Sequence, residues 1–304
     1  MLLWAGSTAE RLVPDNAHEQ WEGALAGLAV RRAQDGGPAS YELAFEDGPR
    51  IPLNARLGEG FRVEFTGVVS CRHCGAESRK SFGGGYCYDC FSTLARCDLC
   101  VVSPDRCHYA AGTCREPEWG ESFCMQPHLV YLANTSGLKV GITRAGREIG
   151  RWLDQGAIQG LVILEAATRR DAGLAEAAIA TVLPDRTDWR RMLRADVPPL
   201  DLPAAWRRLR DSELSLPDGV TTLEGRAAVV VSLAYPLTAN AAPEHTLRLE
   251  NGPVSGNLKG MKGQYLVLGN GAFNVRAHAG YRVRLSIGAP MEEETGGEQL
   301  GLFG

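Results

Sequence analysis

The chain has 304 residues, 44% of them hydrophobic, enough to bury a sizeable core and to divide into about two or three domains. Its formal net charge of -4 argues against wholesale coating of nucleic acid or of an anionic membrane and leaves any such contact to a local basic face. The opening run Met1-Leu2-Leu3-Trp4 reaches Glu10 and Arg11 too early for a signal peptide. No stretch approaches the roughly 20 apolar residues of a membrane helix, so a cytoplasmic protein is expected.

Residues 1–66 are predicted to form a β region. Tyr41, Leu43 and Phe45 alternate with polar neighbours, as do Phe61, Val63 and Phe65, with Gly and Pro turns between them. A cysteine-rich segment at 67–127 follows without a linker. Over 128–215 the pattern becomes strand, turn, strand and helix, with a charged amphipathic helix at 201–213. Strands return over 216–290, at 227–233, 246–249, 265–268 and 281–287. The last stretch, 291–304, is acidic and Gly-rich and reads as a disordered tail. The fold class expected from this order is α+β.

The two β regions share a pattern. Glu22-Gly23-Ala24-Leu25-Ala26-Gly27-Leu28 matches Ser255-Gly256-Asn257-Leu258-Lys259-Gly260-Met261 as x-Gly-x-Leu-x-Gly-apolar, and Tyr41, Asn54 and Phe61 correspond to Tyr265, Asn274 and Tyr281. An internal duplication, with its two copies packed together around the middle of the chain, is the expectation.

All nine cysteines fall between Cys71 and Cys124, and most stand in pairs two residues apart. That is a metal-ligand pattern and not a disulfide framework. Cys71, Cys74, Cys87 and Cys90 form two such pairs, with Gly75 and Gly83 to Gly85 supplying backbone freedom. Two tight turns, each aiming two sulfurs at one ion, complete the tetrahedron that Zn²⁺ accepts, and four protein ligands make such an ion structural. A second Zn²⁺ is expected on Cys97, Cys100, Cys107 and Cys114. Cys124 is then the odd, partly buried thiol, with His108 and His128 as substitute ligands; five cysteines compete for four places and spacing does not rank them. Surplus thiols that sense redox state are the alternative.

Residues 128–152 contain Val130-Tyr131-Leu132, Lys139-Val140-Gly141, Arg144, Arg147 and Arg151-Trp152. This run resembles the opening of a GIY-YIG nuclease domain, whose hairpin carries Gly-Ile-Tyr on one strand and Tyr-Ile-Gly on the next. Glu176 stands in an Ala-rich, helix-like run where that family has its metal-binding glutamate. The order of modules also resembles, nearly end to end, an uncharacterised bacterial family with a domain of unknown function. The nuclease resemblance implies that Tyr131 helps to activate water, that Arg151 neutralises the phosphate and that Glu176 holds Mg²⁺. Lys139, Arg144 and Arg147 would contact neighbouring phosphates. Lys139 replaces the family's second tyrosine and cannot act as the same base.

The final Gln299-Leu300-Gly301-Leu302-Phe303 resembles the C-terminal peptide with which bacterial replication and repair proteins dock on the DNA sliding clamp. Gln299 would bond the pocket rim, while Leu300, Leu302 and Phe303 supply its apolar contact. Three functions follow as expectations. The first is a Mg²⁺-dependent DNA endonuclease recruited by the clamp, the second a non-catalytic adaptor for DNA or RNA, and the third a structural or redox-responsive interaction protein.

Overall fold

The computed structural model describes residues 11–12, 18–183, 187–212, 215–223, 229–239 and 241–291. Its strands and helices form two sheets and a cysteine-rich insert, the mixed arrangement of an α+β protein. Gln299, Leu300, Leu302 and Phe303 lie outside the described residues.

The N-terminal strands are β1 (Arg11–Leu12), β2 (Glu19–Arg31), β3 (Ser40–Phe45), β4 (Arg50–Pro52), β5 (Gly60–Ser70) and β6 (Glu77–Ser78). The middle of the chain supplies β7 (His128–Asn134), β8 (Leu138–Arg144), β9 (Gln159–Ala166), β10 (Val220–Thr222) and β11 (Val231–Ser232). β12 (His245–Leu247), β13 (Val254–Lys262), β14 (Tyr265–Leu268), β15 (Gly271–Asn274) and β16 (Tyr281–Gly288) follow. The helices are α1 (Tyr88–Thr93), α2 (Pro117–Phe123), α3 (Glu148–Asp154), α4 (Arg169–Ala180), α5 (Trp189–Met192) and α6 (Leu202–Arg210).

The large sheet runs β12-β15-β14-β13-β5-β16-β2-β3-β4, with β1 on β2 and β6 on β5. Without β12, this order reads alike from both ends: β2, β3, β4 and β5 on one side mirror β13, β14, β15 and β16 on the other. The two last strands, β5 and β16, pair antiparallel at the centre, and each also pairs with the opposite unit's first strand. The matched glycine motifs do the same work in each unit. In β2 the inward positions run Trp21, Gly23, Leu25, Gly27 and then Leu28, because the register against β3 shifts between Leu25 and Gly27. In β13 Leu258 is followed inward by Gly260 and Met261, with the shift against β14 between Leu258 and Gly260. Gly27 and Gly260 have φ of 133° and 158°, backbone that a side chain disfavours and that such bulges use.

The middle sheet runs β10-β9-β7-β8, with β11 also on β9. Every residue of β7 is buried, because both faces of this sheet are covered. Tyr131 and Ala133 face the large core, where they join Trp152 and Leu153 of α3 and the inner residues of β2, β13 and β16. Val130 and Leu132 face the other way into a second core, with Ala172, Ala175 and Ile179 of α4 and Leu202 and Leu209 of α6. α3 is therefore held between the two sheets. Gly160 of β9 lies flat under the Trp152 indole, where a Cβ would collide with the ring.

Polar clips fix α3 on the large sheet. Asp154 accepts from Gln264 at 2.9 Å and pairs with Arg276 at 2.8 Å. Gln264 in turn exchanges two 2.9 Å hydrogen bonds with the Leu28 backbone beside the β2 bulge. Among the described residues no helix is long and apolar enough to cross a membrane.

Candidate metal centre and the neighbouring Tyr131 cluster

β5 runs out of the large sheet straight into the first cysteine pair, and β6 returns against its end at Val69 and Ser70. The knuckle closes through Cys71 N–H to Ala76 O at 2.9 Å and Gly75 N–H to Cys71 O at 2.9 Å. The second pair opens α1, where Cys87 is the N-cap and receives the Cys90 N–H on its sulfur at 3.5 Å. The sulfurs of Cys71, Cys74, Cys87 and Cys90 all lie within 4.8 Å of one another, and Cys74 Sγ is 3.8 Å from Cys87 Sγ. This cluster is positioned to bind one zinc ion.

The electrostatics suit a cation. Burial works against a thiolate at Cys71, but the backbone N–H groups of Cys74, Cys87 and His73 outweigh it and bring that thiol down to about 6. Burial and the neighbouring sulfurs push Cys90 up. Four sulfurs this close cannot all ionise alone, and a divalent ion is the partner that lets them do so together.

The second group of thiols is arranged differently. Cys100, Cys107, Cys114 and Cys124 line one cavity with Asp98, His108 and Arg115. Cys97 is not on it: it packs against Cys71, Cys90 and Leu94 of the first cluster. His128, offered as a substitute ligand, is fully buried at the start of β7, with Nδ1 2.7 Å from Gln126 O and its ring edge-on to Phe123.

Of the residues carrying the nuclease resemblance, Tyr131 and Lys139 lie on the middle sheet, while Arg151 and Glu176 lie on α3 and α4. Tyr131 pairs across the ladder with Gly141. Its ring crosses that glycine so closely that a Cβ there would stand 2.5 Å from Tyr131 Oη. The Gln155 carboxamide at the end of α3 lies 2.8 Å from the hydroxyl. With its oxygen turned to the guanidinium, Gln155 accepts from Arg151 Nε and Nη2 at 3.3 and 3.2 Å and donates to Tyr131 Oη. Burial raises the Tyr131 pKa; the Arg151 cation opposes that shift and Glu176 of α4 adds to it. Arg151 and Glu176 thus both bear electrostatically on the Tyr131 phenol. Tyr131 is 0% exposed, whereas Arg151 is open to solvent.

Lys139 is buried on the same face of β8, with Nζ 3.5 Å from Thr187 Oγ1. It lines a cleft of about 450 Å³ that also takes in Gln155, Asp154, Trp189, Asn274 and Arg276, so the Tyr131 hydroxyl is one hydrogen bond from that cleft. Arg147 is exposed at the start of α3. Arg144 instead lays its guanidinium 5.2 Å over the Phe123 ring, which Arg169 approaches at 5.9 Å.

Sequence reasoning passed over two residues of this cluster. Gln155 belongs to none of the motifs read from the sequence. Arg169, whose pKa burial lowers, feels Cys124, Arg151 and Glu176 at once; it reads in sequence as an ordinary helix-start cation, and only its burial distinguishes it.

The family model described as a protein of unknown function, DUF2797, matches residues 58–283. The chain belongs to the DUF2797 family. The match spans β5, the cysteine insert, the middle sheet and most of the C-terminal strands, so both clusters lie within the DUF2797 region. No curated protein and no solved structure matches the chain.

Proposed function

We propose that this DUF2797 protein is a zinc-stabilised, non-catalytic nucleic-acid-binding adaptor, whose GIY-YIG-like middle domain grips a phosphodiester backbone with Arg147 and Arg151. The observation that carries this reading is the state of Tyr131. The phenol that would activate water is 0% exposed, is tied to Gln155 at 2.8 Å and has a raised pKa through burial. A base needs access to the proton it removes and a pKa near the working pH, and Tyr131 has neither. Arg147 and Arg151 stay exposed one turn apart along α3, where guanidinium groups suit phosphate oxygens. Lys139 in place of the second family tyrosine fits the same reading.

A second reading, a Mg²⁺-dependent endonuclease, is favoured by the convergence of Tyr131, Arg151 and Glu176. In it Glu176 would ligate Mg²⁺, which would then stabilise charge on the phosphate. Both readings place the protein in the cytoplasm. Both allow docking on a sliding clamp through Gln299, Leu300, Leu302 and Phe303, and deleting 299–304 should abolish clamp capture.

The test is binding and cleavage on branched, nicked and single-stranded DNA and on RNA, with and without Mg²⁺. The adaptor reading expects salt-sensitive binding that falls on Arg151→Ala, with no product. Mg²⁺-dependent cutting lost in Glu176→Ala would establish the nuclease instead.

A further inference from the structure

We infer that Cys100, Cys107, Cys114 and Cys124 form a second, all-thiolate zinc site, and that Cys97 takes no part in it. The four side chains come from separate backbone features and converge on one cavity. Cys100 lies in the short turn Leu99–Val101, Cys107 ends the turn Pro104–Arg106 and Cys124 caps α2. All four line a cavity of about 10 Å³, room for a single bound atom and not for an organic ligand. α2 reaches it because position 120 is glycine: a Cβ there would stand 3.0 Å from the Tyr109 ring and 3.4 Å from Cys114 Sγ.

One rival ligand set exists. Ligand atoms of Asp98, Cys100 and His108 come within 4.8 Å of one another, whereas the four sulfurs line the shared cavity without any three of them standing that close. Asp98, however, is already engaged by Arg115 Nε at 2.7 Å, and His108 Nε2 stands 3.6 Å from that same carboxylate. A carboxylate neutralised by a guanidinium is a poor cation ligand beside four soft sulfurs, which Zn²⁺ takes in closed structural sites.

The site would brace the neighbouring cluster. Arg169 N–H donates to Cys124 O at 2.8 Å, and Arg169 Nη2 donates to Val101 O at 2.6 Å. Pro104, between Cys100 and Cys107, packs directly on Gly173 of α4. A metal drawing these loops together thus holds α4, which carries Glu176, against the middle sheet. With four thiolates it has no open position and is structural.

Zinc in the full-length protein, purified under reducing conditions and counted by mass spectrometry of the metal, tests this. Wild type is expected to hold two zinc ions per chain, Cys124→Ser one, and Cys97→Ser and His108→Ala two each. One ion in wild type, two in Cys124→Ser, or a loss in Cys97→Ser or His108→Ala would overturn it. Should Cys124→Ser fail to fold, X-ray absorption on the wild-type protein decides together with the zinc count of Cys97→Ser. A first shell of sulfur only, at two zinc per chain, supports the assignment; nitrogen or oxygen in that shell overturns it.

Discussion

The two sheets bury different things. In the large sheet the strands alternate, and their inner faces carry Leu25, Leu43, Phe61, Val63, Leu258, Val283 and Leu285. The middle sheet is covered on both sides and takes His128, Asn134, Lys139 and Thr143 into its interior along with its aliphatic residues. Burying polar groups costs free energy unless each finds a partner, so their density in β7 and β8 marks where the chain trades stability for a site. The large sheet acts as a platform, while the middle sheet and the insert carry the two candidate clusters.

That contrast can be broken in order of expected effect. Cys90→Ser should release the ion of the first site, whose binding in comparable structural sites is worth about 10–16 kcal/mol. Hydrogen exchange should then show lost protection over 71–97 while β13 to β16 keep theirs; uniform loss would mean that the sheet is not an independent platform. Trp152→Ala, which empties the seam between the two sheets, should cost about 3–5 kcal/mol by urea unfolding. A value under about 1 kcal/mol would show that α3 does not couple them.

With Gln264 and His278, Lys262 is one of the polar groups buried on the large-sheet side, a lysine whose pKa burial lowers to about 8. Between that value and the unfolded one near 10.5, the unfolded chain holds the extra proton, so stability rises with pH. The rise should be about 2 kcal/mol from pH 7.5 to 9.5 and should vanish in Lys262→Met. A wild-type curve that falls over this window would show that Lys262 is not desolvated.

The smallest effect separates the two halves of the large sheet. A Cβ at Gly27 meets only Gln264 Oε1, at 3.1 Å, whereas one at Gly260 meets Leu237 Cα and Pro236 O at 2.8 Å. Gly260→Ala should therefore be less stable than Gly27→Ala by roughly 1–2 kcal/mol. Equal losses would mean that the bulges, not their surroundings, set the cost.

The large sheet was legible because its strands keep a period of two: Tyr41 to Phe45 and Phe61 to Phe65 point to β3 and β5 directly. The paired glycine motifs locate both bulges, since each phase shift needs backbone that glycine readily adopts. β7 has no alternation to read, because both of its faces are buried, and only the resemblance picked out Tyr131. Strands β10 and β11, read from sequence as part of a C-terminal β region, pair instead with β9 of the middle sheet; three- and two-residue strands carry no periodic signal of their own. The first metal cluster follows from local spacing. Membership of the second thiol group does not, because Cys124 arrives on a helix and Cys97 points back to its neighbour's core.

The most direct test of the adaptor reading is fluorescence anisotropy of labelled branched and single-stranded DNA against wild type and the Arg147→Ala/Arg151→Ala double variant across a salt series, with product analysis in Mg²⁺. The account expects binding that weakens with salt, a slope shallower by about 2 in the double variant, and intact DNA throughout. Absent binding, or Mg²⁺-dependent cutting that Glu176→Ala abolishes, would contradict it.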